Sequence, residues 1–101
     1  MALNILVHDK LPEILEQKGK KVKTHTAKEA EFRKKLREKL KEEVSEYLKD
    51  SSPEELVDII EVVYQLAEID GIGKAKLEKI RKLKAEYKGS FNERIILDEV
   101  N

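Results

Sequence analysis

The chain has 101 residues and a mass of 11.7 kDa, a size that fits one domain spanning residues 1–101 and argues against a two-domain enzyme. Its 21 basic and 21 acidic residues cancel, so it lacks the basic field with which proteins attract DNA, RNA or anionic membranes. The absence of cysteine excludes disulfide bonds, thiolate nucleophiles and cysteine-ligated metal centres.

The N-terminal part of the chain predicts only short elements. Residues 3–7 form an apolar segment that fits either a strand or an extended cover, and the polar run of residues 19–26 predicts a mobile connection. The first ten residues lack the signal-peptide order of basic start, apolar middle and small-residue cleavage site. No stretch approaches the ~20 apolar residues of a transmembrane helix. We therefore expect a cytoplasmic protein.

A long amphipathic helix is predicted from residue 27 to about residue 49. Its apolar residues recur at intervals of three and four, which places them on one stripe of a helix. The members of this stripe are Phe32, Leu36, Leu40, Val44, Tyr47 and Leu48. Such a stripe is the surface that a helix buries against a neighbouring element.

A second helix is predicted to start at Pro53. Ser52 suits the N-cap position, Pro53 the first helical turn, and Glu55 the reciprocal place in a capping box. Apolar residues continue to about Asp70, and Gly71 is a typical residue at which a helix ends. Because few residues separate the two long helices, we expect them to form an antiparallel hairpin.

A third long helix is predicted over roughly Lys74–Lys88, followed by Gly89. The apolar segment of residues 91–97 is compatible, like residues 3–7, with a strand or an extended cover. The predicted fold class is therefore all-α, with a helical hairpin and a further helix.

Acidic residues interrupt the apolar stripes of both hairpin helices. With ~100° between successive residues, Glu43 falls within the stripe of the first helix and Glu46 at its edge, whereas Glu42 points to solvent. In the second helix, Glu55 falls within the stripe and Asp58 at its edge. Two facing helices are thus predicted to carry matching pairs of acids.

Antiparallel folding would bring the four carboxylates to matching heights. Glu46 and Glu55 each lie about one turn from the connection, and Glu43 and Asp58 each lie about one turn further. Clustered carboxylates repel one another and require protons or cations, and a site made only of oxygen ligands suits Mg2+ or Mn2+. Each acid alone has a plainer explanation, such as the helix dipole for Glu55, so the joint pattern carries the hypothesis. These residues indicate a metal-binding helical bundle.

At these residues the sequence is similar to a known family. Glu43-Val-Ser-Glu46 followed by Glu55-Leu-Val-Asp58 resembles the ExxE…ExxD signature of the all-α nucleoside triphosphate pyrophosphatases, the superfamily of MazG, dimeric dUTPases and phosphoribosyl-ATP pyrophosphohydrolase. Residues 6–13, LVHDKLPE, are similar to the LVRDKIPE start of its small MazG-like branch, and residues 84–94 resemble the KAE…GGF…R segment of that branch. His8 stands where this branch usually has Arg.

The resemblance implies a hydrolase that cleaves a nucleoside triphosphate, modified or surplus, to the monophosphate and pyrophosphate, in a house-cleaning role. It implies that four acids hold Mg2+ or Mn2+ and carry the catalysis: Glu43, Glu46, Glu55 and Asp58. Substrate contacts are expected in the family-like segments, at Lys10, Lys84, Phe91 and Arg94. For these last four, a solvated lysine face or a phenylalanine that covers the core is the plainer alternative.

Two further alternatives stay open at this point. The substrate could be phosphoribosyl-ATP of histidine biosynthesis, or the protein could be a non-enzymatic helical interaction module whose carboxylates bind a basic partner or a structural ion. The thin core of three helices, together with the resemblance, predicts a homodimer that completes a four-helix bundle, or a dimer of dimers.

Overall fold

Four α-helices provide the regular structure of residues 3–101, the part of the chain that the computed structural model describes. They are α1 (Leu11–Gln17), α2 (Glu29–Asp50), α3 (Pro53–Ile69) and α4 (Lys74–Lys88). These residues contain no strand, so the all-α prediction is confirmed, and residues 3–7 and 91–97 are not strands. Met1 and Ala2, which the single-domain prediction includes, lie outside the described residues.

Helices α2 and α3 form the hairpin that the sequence predicts. Ser51 has a left-handed conformation with a φ of 54°, which ends α2. Ser52 then caps α3 by accepting a hydrogen bond from the Glu54 amide at 3.2 Å, and Pro53 lies in the first turn. Within residues 3–101, the Glu55 side chain does not make the reciprocal bond of the capping box. The bond accepted by Ser52 is the one that is present.

The apolar stripes of α2 and α3 meet in a small core. Leu36 of α2 is 2% exposed, and Val62 and Ala67 of α3 are also buried. Burial of a leucine of this kind stabilises a fold by about 1.5–3 kcal/mol. At the end opposite the connection, Arg33 donates a hydrogen bond to Asp70 Oδ1 at 2.9 Å. That ion pair is exposed to solvent, so the core rather than the pair sets the stability of the hairpin.

Helix α4 packs against α3, and more sparsely than α2 does. It follows a turn at Gly71, whose φ of 80° is one that glycine adopts without strain. The ammonium group of Lys74 lies 4.6 Å from the centroid of the Tyr64 ring, which is a cation–π contact between α4 and α3. Beyond Gly89 the chain has no regular secondary structure to residue 101.

Helix α1 is the element that the sequence analysis does not contain. Its first amide, that of Leu11, donates a hydrogen bond to the His8 carbonyl at 3.0 Å, and Pro12 lies in its first turn, where a fixed φ favours a helix. Seven residues are too few for a helical periodicity to be recognised. Among residues 3–101, no helix combines the length and the apolar composition needed to cross a bilayer.

Candidate active site

The buried carboxylate of Glu43 is the centre of the candidate site. This residue is 8% exposed, because its position on α2 falls within the stripe that faces α3. Burial is the main cause that raises the pKa of Glu43 above its usual range, and the nearby carboxylate of Asp58 raises it further. We call Glu43 and Asp58 the inner pair. Its environment favours a proton or a cation on the Glu43 carboxylate.

Lys39, one turn before Glu43 on α2, supplies the only cation within ion-pair distance of Glu43 in residues 3–101. Its Nζ atom lies 3.6 Å from Glu43 Oε1 and 3.8 Å from Glu42 Oε1. This ammonium group lowers the pKa of Glu43, against the effect of burial. Glu42 itself is exposed, as expected of a residue that points to solvent. The sequence analysis missed Lys39, although its i,i+4 spacing from Glu43 is a usable signal.

Asp58 is contacted by His8 from the N-terminal segment. The Nε2 atom of His8 lies 3.1 Å from Asp58 Oδ1, and 50 residues of sequence separate the two side chains. His8 donates in this hydrogen bond when its Nε2 carries the proton. The Asp58 side chain is 29% exposed, so it is half-buried.

A second group of acids lies nearer the connection between the helices. Glu46, Asp50 and Glu55 each offer a carboxylate oxygen, and these oxygens lie within 4.8 Å of one another. We call these three residues the outer cluster. Among residues 3–101, no ion pair joins any of them to a basic side chain. Asp50 was not predicted, although it follows Glu46 by one helical turn and therefore shares its face.

The acids therefore lie in two tiers along the hairpin, and within the described residues only Glu46 and Glu55 of the four predicted acids belong to one group of closely spaced oxygens. Glu46 and Glu55 belong to the outer cluster near the connection, and Glu43 lies one turn further along, close enough to Asp58 for that carboxylate to raise its pKa. Glu43 of the inner pair is buried and Asp58 is half-buried, whereas the outer cluster has two exposed members, Glu46 and Asp50. An all-oxygen donor set of this kind suits hard divalent cations.

A cavity of about 250 Å3 adjoins the inner pair on the side away from the connection. The apolar part of its wall comes from the core of the hairpin and from the N-terminal segment: Leu6, Val7, Phe32, Leu36 and Val62. Polar groups complete the wall, among them His8, Lys39, Asp58 and Gln65. Residues 3–7 were predicted as a strand or an extended cover, and their last two residues act as a cover for this cavity.

The predicted substrate contacts are spread over the surface of the single chain. Lys10 is the N-cap residue of α1, Lys84 lies on α4, and Arg94 follows it in the C-terminal segment, and all three are exposed. No ion pair or side-chain hydrogen bond within residues 3–101 joins them to the four predicted acids. Phe91 is 97% exposed, so the alternative that it covers the core of its own chain is wrong. Every residue from 89 to 101 is exposed.

Comparisons with family models, with curated proteins and with solved structures gave no match to this chain. The geometry of the described residues and the motifs of the sequence are therefore the basis for a functional proposal.

Proposed function

We propose that this protein is a metal-dependent nucleotide pyrophosphohydrolase with a MazG-like fold, which cleaves a nucleoside triphosphate to the monophosphate and pyrophosphate. The inner pair is the observation that carries the proposal. A carboxylate that is only 8% exposed beside a second carboxylate is a costly arrangement, and a bound cation relieves the cost. The resemblance of residues 43–58 to the ExxE…ExxD signature supports the same chemistry.

The donor atoms on the two tiers fit Mg2+ or Mn2+. Every candidate ligand is a carboxylate oxygen, and three of these oxygens already lie within 4.8 Å of one another. The proposed ligands are the four predicted acids, Glu43, Glu46, Glu55 and Asp58, together with Asp50. A divalent ion held there would neutralise phosphate oxygens and would make a bound water more acidic.

Other groups of the chain provide positioning and charge. The ammonium group of Lys39 lies one turn from Glu43, where it would bind phosphate oxygens on which negative charge develops. The hydrogen bond from His8 orients the carboxylate of Asp58. One of the four predicted carboxylates accepts the proton of the attacking water.

A homodimer is part of this proposal, because a single chain exposes more surface than a compact monomer of its mass. Its accessible area is 9513 Å2, whereas a compact monomer of this mass exposes about 5,900 Å2. Its radius of gyration is 17.8 Å, against about 13 Å for a compact chain of this length. Pairing would bury apolar side chains of α3 and α4, such as Val57, Ile60 and Leu83, and complete a four-helix bundle. A dimer of dimers is the larger assembly that we consider.

A second chain also offers a place for the predicted substrate contacts. Lys10, Lys84, Phe91 and Arg94 do not contact the acids of their own chain, so we propose that some of them reach the site of a partner copy. For the substrate we favour surplus or modified nucleoside triphosphates of the cytoplasm, and phosphoribosyl-ATP is the alternative within the same reaction class.

Pyrophosphate release tests the proposed reaction. The substrate panel contains ordinary nucleoside triphosphates, modified nucleoside triphosphates and phosphoribosyl-ATP, each with Mg2+, with Mn2+ and with a chelator. We expect release that requires a metal ion, and the fastest substrate distinguishes the house-cleaning role from a role in histidine biosynthesis. Absence of release from every substrate, with protein whose helical circular dichroism is intact, would reject the proposed reaction.

Thermal stability distinguishes the enzyme from an interaction module. A nucleotide-binding enzyme gains stability from Mg2+ and nucleotide together beyond the gain from Mg2+ alone, because only the folded state binds both. A non-hydrolysable nucleoside triphosphate analogue keeps the ligand intact during the measurement. A melting temperature that Mg2+ raises but nucleotide does not change would favour a module that binds a structural ion.

A further inference from the structure

The cavity beside the inner pair has walls of two kinds. Leu36 and Val62 are buried core residues, and the half-buried ring of Phe32 adds an aromatic surface. The polar part of the wall comes from His8, Asp9, Lys39, Asp58, Glu61 and Gln65, and Gln65, which is exposed, is the amide among them. A ligand that fits such a site is apolar on its faces and polar at its rim.

The position of the cavity along the hairpin gives the direction in which such a ligand extends. Lys39 and Asp58 belong both to the cavity wall and to the surroundings of Glu43, so the cavity and the acidic site are continuous. Gln65 lies two turns beyond Asp58 on α3, about 10 Å along the helix axis. The order from the connection is therefore the outer cluster, the inner pair, and then the cavity.

We propose that this cavity is the nucleobase subsite, in which Phe32 contacts the face of the base and Gln65 hydrogen-bonds to its polar edge. The inference rests on the proposed function, since it assigns one end of the nucleotide that the acids would bind. An aromatic ring suits the face of any base, and an amide side chain offers both a donor and an acceptor to the edge. The α-phosphate then lies at the inner pair and the pyrophosphate extends toward the outer cluster.

This assignment makes Gln65 the residue that determines base preference. A site that hydrogen-bonds to a substrate edge rejects analogues that leave its polar groups unpaired, whereas an apolar surface discriminates weakly. Phe32 in turn contributes affinity for every base, because every base has an aromatic face that can stack on the phenyl ring.

Kinetics of two variants on four ordinary nucleoside triphosphates test the subsite. We expect Gln65→Ala to reduce the ratio of kcat/KM between the best and the worst base by roughly tenfold. Phe32→Leu should lower kcat/KM for all four bases by roughly tenfold, mainly through KM. The matched control is Gln17→Ala, which changes the only other glutamine of the chain, an exposed residue of α1, and leaves the ratio unchanged. If the ratio of kcat/KM between the best and the worst base were the same in Gln65→Ala as in the wild type, the subsite would be overturned. The proposed reaction would still stand.

A binding measurement separates the subsite from the reaction. Because the chain has two glutamines, their side-chain amide signals in a 15N-labelled sample can be assigned with the two alanine variants. Titration with nucleoside monophosphates should shift the Gln65 signal and leave the Gln17 signal in place. A Gln65 shift without any pyrophosphate release would support the base subsite and reject the reaction, and no shift at millimolar nucleotide would overturn the subsite. Gln65→Ala changes an exposed side chain, so the test remains valid if Phe32→Leu fails to fold.

Discussion

The α2–α3 hairpin buries some of its apolar side chains, whereas the C-terminal part of the chain buries none. In the hairpin, Leu36 and Val62 are 2% and 6% exposed, and a carboxylate is buried beside them. In α4 and the residues after it, Leu83 is 55% exposed, Phe91 97% and Ile96 79%. The difference teaches that the acidic residues lie on a hairpin with a small core of its own, whereas α4 and the residues after it bury no apolar side chain.

The largest effect is expected from changes to the inner pair. Glu43→Gln and Asp58→Asn each remove a carboxylate of the proposed metal site, so Mg2+-dependent turnover should fall by about 10²-fold or more. Each change also removes repulsion between clustered acids, so the melting temperature of the metal-free protein should stay the same or rise. Steady-state pyrophosphate release and thermal unfolding measure the two effects.

Glu42→Gln is the matched control for these variants. Glu42 is the sequence neighbour of Glu43, it is exposed, and within residues 3–101 its one ion pair is with Lys39, at 3.8 Å. Its change should leave turnover close to that of the wild type. If Glu43→Gln and Asp58→Asn were as active as the wild type, the role of the inner pair would be contradicted.

The next largest effect is expected on the oligomeric state. Ile60 is 48% exposed on α3 beside Val57 and Val63, so these residues form an apolar face on one side of the helix. Ile60→Glu places a charge on this face and should weaken the homodimer by at least about tenfold in Kd. Sedimentation velocity across micromolar concentrations measures the change.

Lys82→Glu also introduces a carboxylate, at an exposed position of α4 that lies about 100° around the helix from Leu83, and should leave the dimer intact. A wild-type protein that sediments at monomer mass across this range would show that the apolar faces are not covered by a second copy.

A third effect concerns the dependence of stability on pH. The folded state raises the pKa of Glu43, so its contribution to stability is present below the ordinary glutamate pKa of about 4.3 and is lost as the pH rises through the raised value. Lys39→Met removes the cation that opposes this shift and should lower the free energy of unfolding at pH 7 by about 1–2 kcal/mol.

Chemical unfolding between pH 3 and pH 7 checks this prediction. The deficit of Lys39→Met is its loss in free energy of unfolding relative to the wild type. This deficit should shrink toward pH 3, where Glu43 is protonated in both proteins. In the double variant with Glu43→Gln the deficit should be small at every pH, and a deficit that is constant with pH in the single variant would exclude the electrostatic cause.

The smallest effect is expected at the connection between α2 and α3. Ser52→Ala removes the oxygen that accepts a hydrogen bond from the Glu54 amide and should destabilise the protein by about 1 kcal/mol. Ser45→Ala is the control, since Ser45 is an exposed residue in the middle of α2. Thermal unfolding of the two variants should therefore differ, and an equal melting temperature would show that the cap contributes nothing.

Local patterns in the sequence predict the three long helices and fail for α1 and for the contacts that join distant segments. The predicted start of α2 differs from the observed one by two residues, and α4 begins and ends where it was predicted. Helical periodicity is a local signal, and so is the position of Glu43 within the apolar stripe. The contact of His8 with Asp58 spans 50 residues and depends on how the N-terminal segment crosses the hairpin, which periodicity does not reveal. The cavity was missed for the same reason, because its walls come from three segments.

The short connection at Ser51 and Ser52 has a consequence for the order of folding. Both tiers of acids belong to helices that this connection joins, so bringing them together closes only a small loop and costs little chain entropy. Contacts of this local kind form early and quickly. The N-terminal segment must close a much longer loop before His8 reaches Asp58. Repulsion among the acids therefore acts at the first step of folding, and a divalent cation present at that step would accelerate formation of the hairpin.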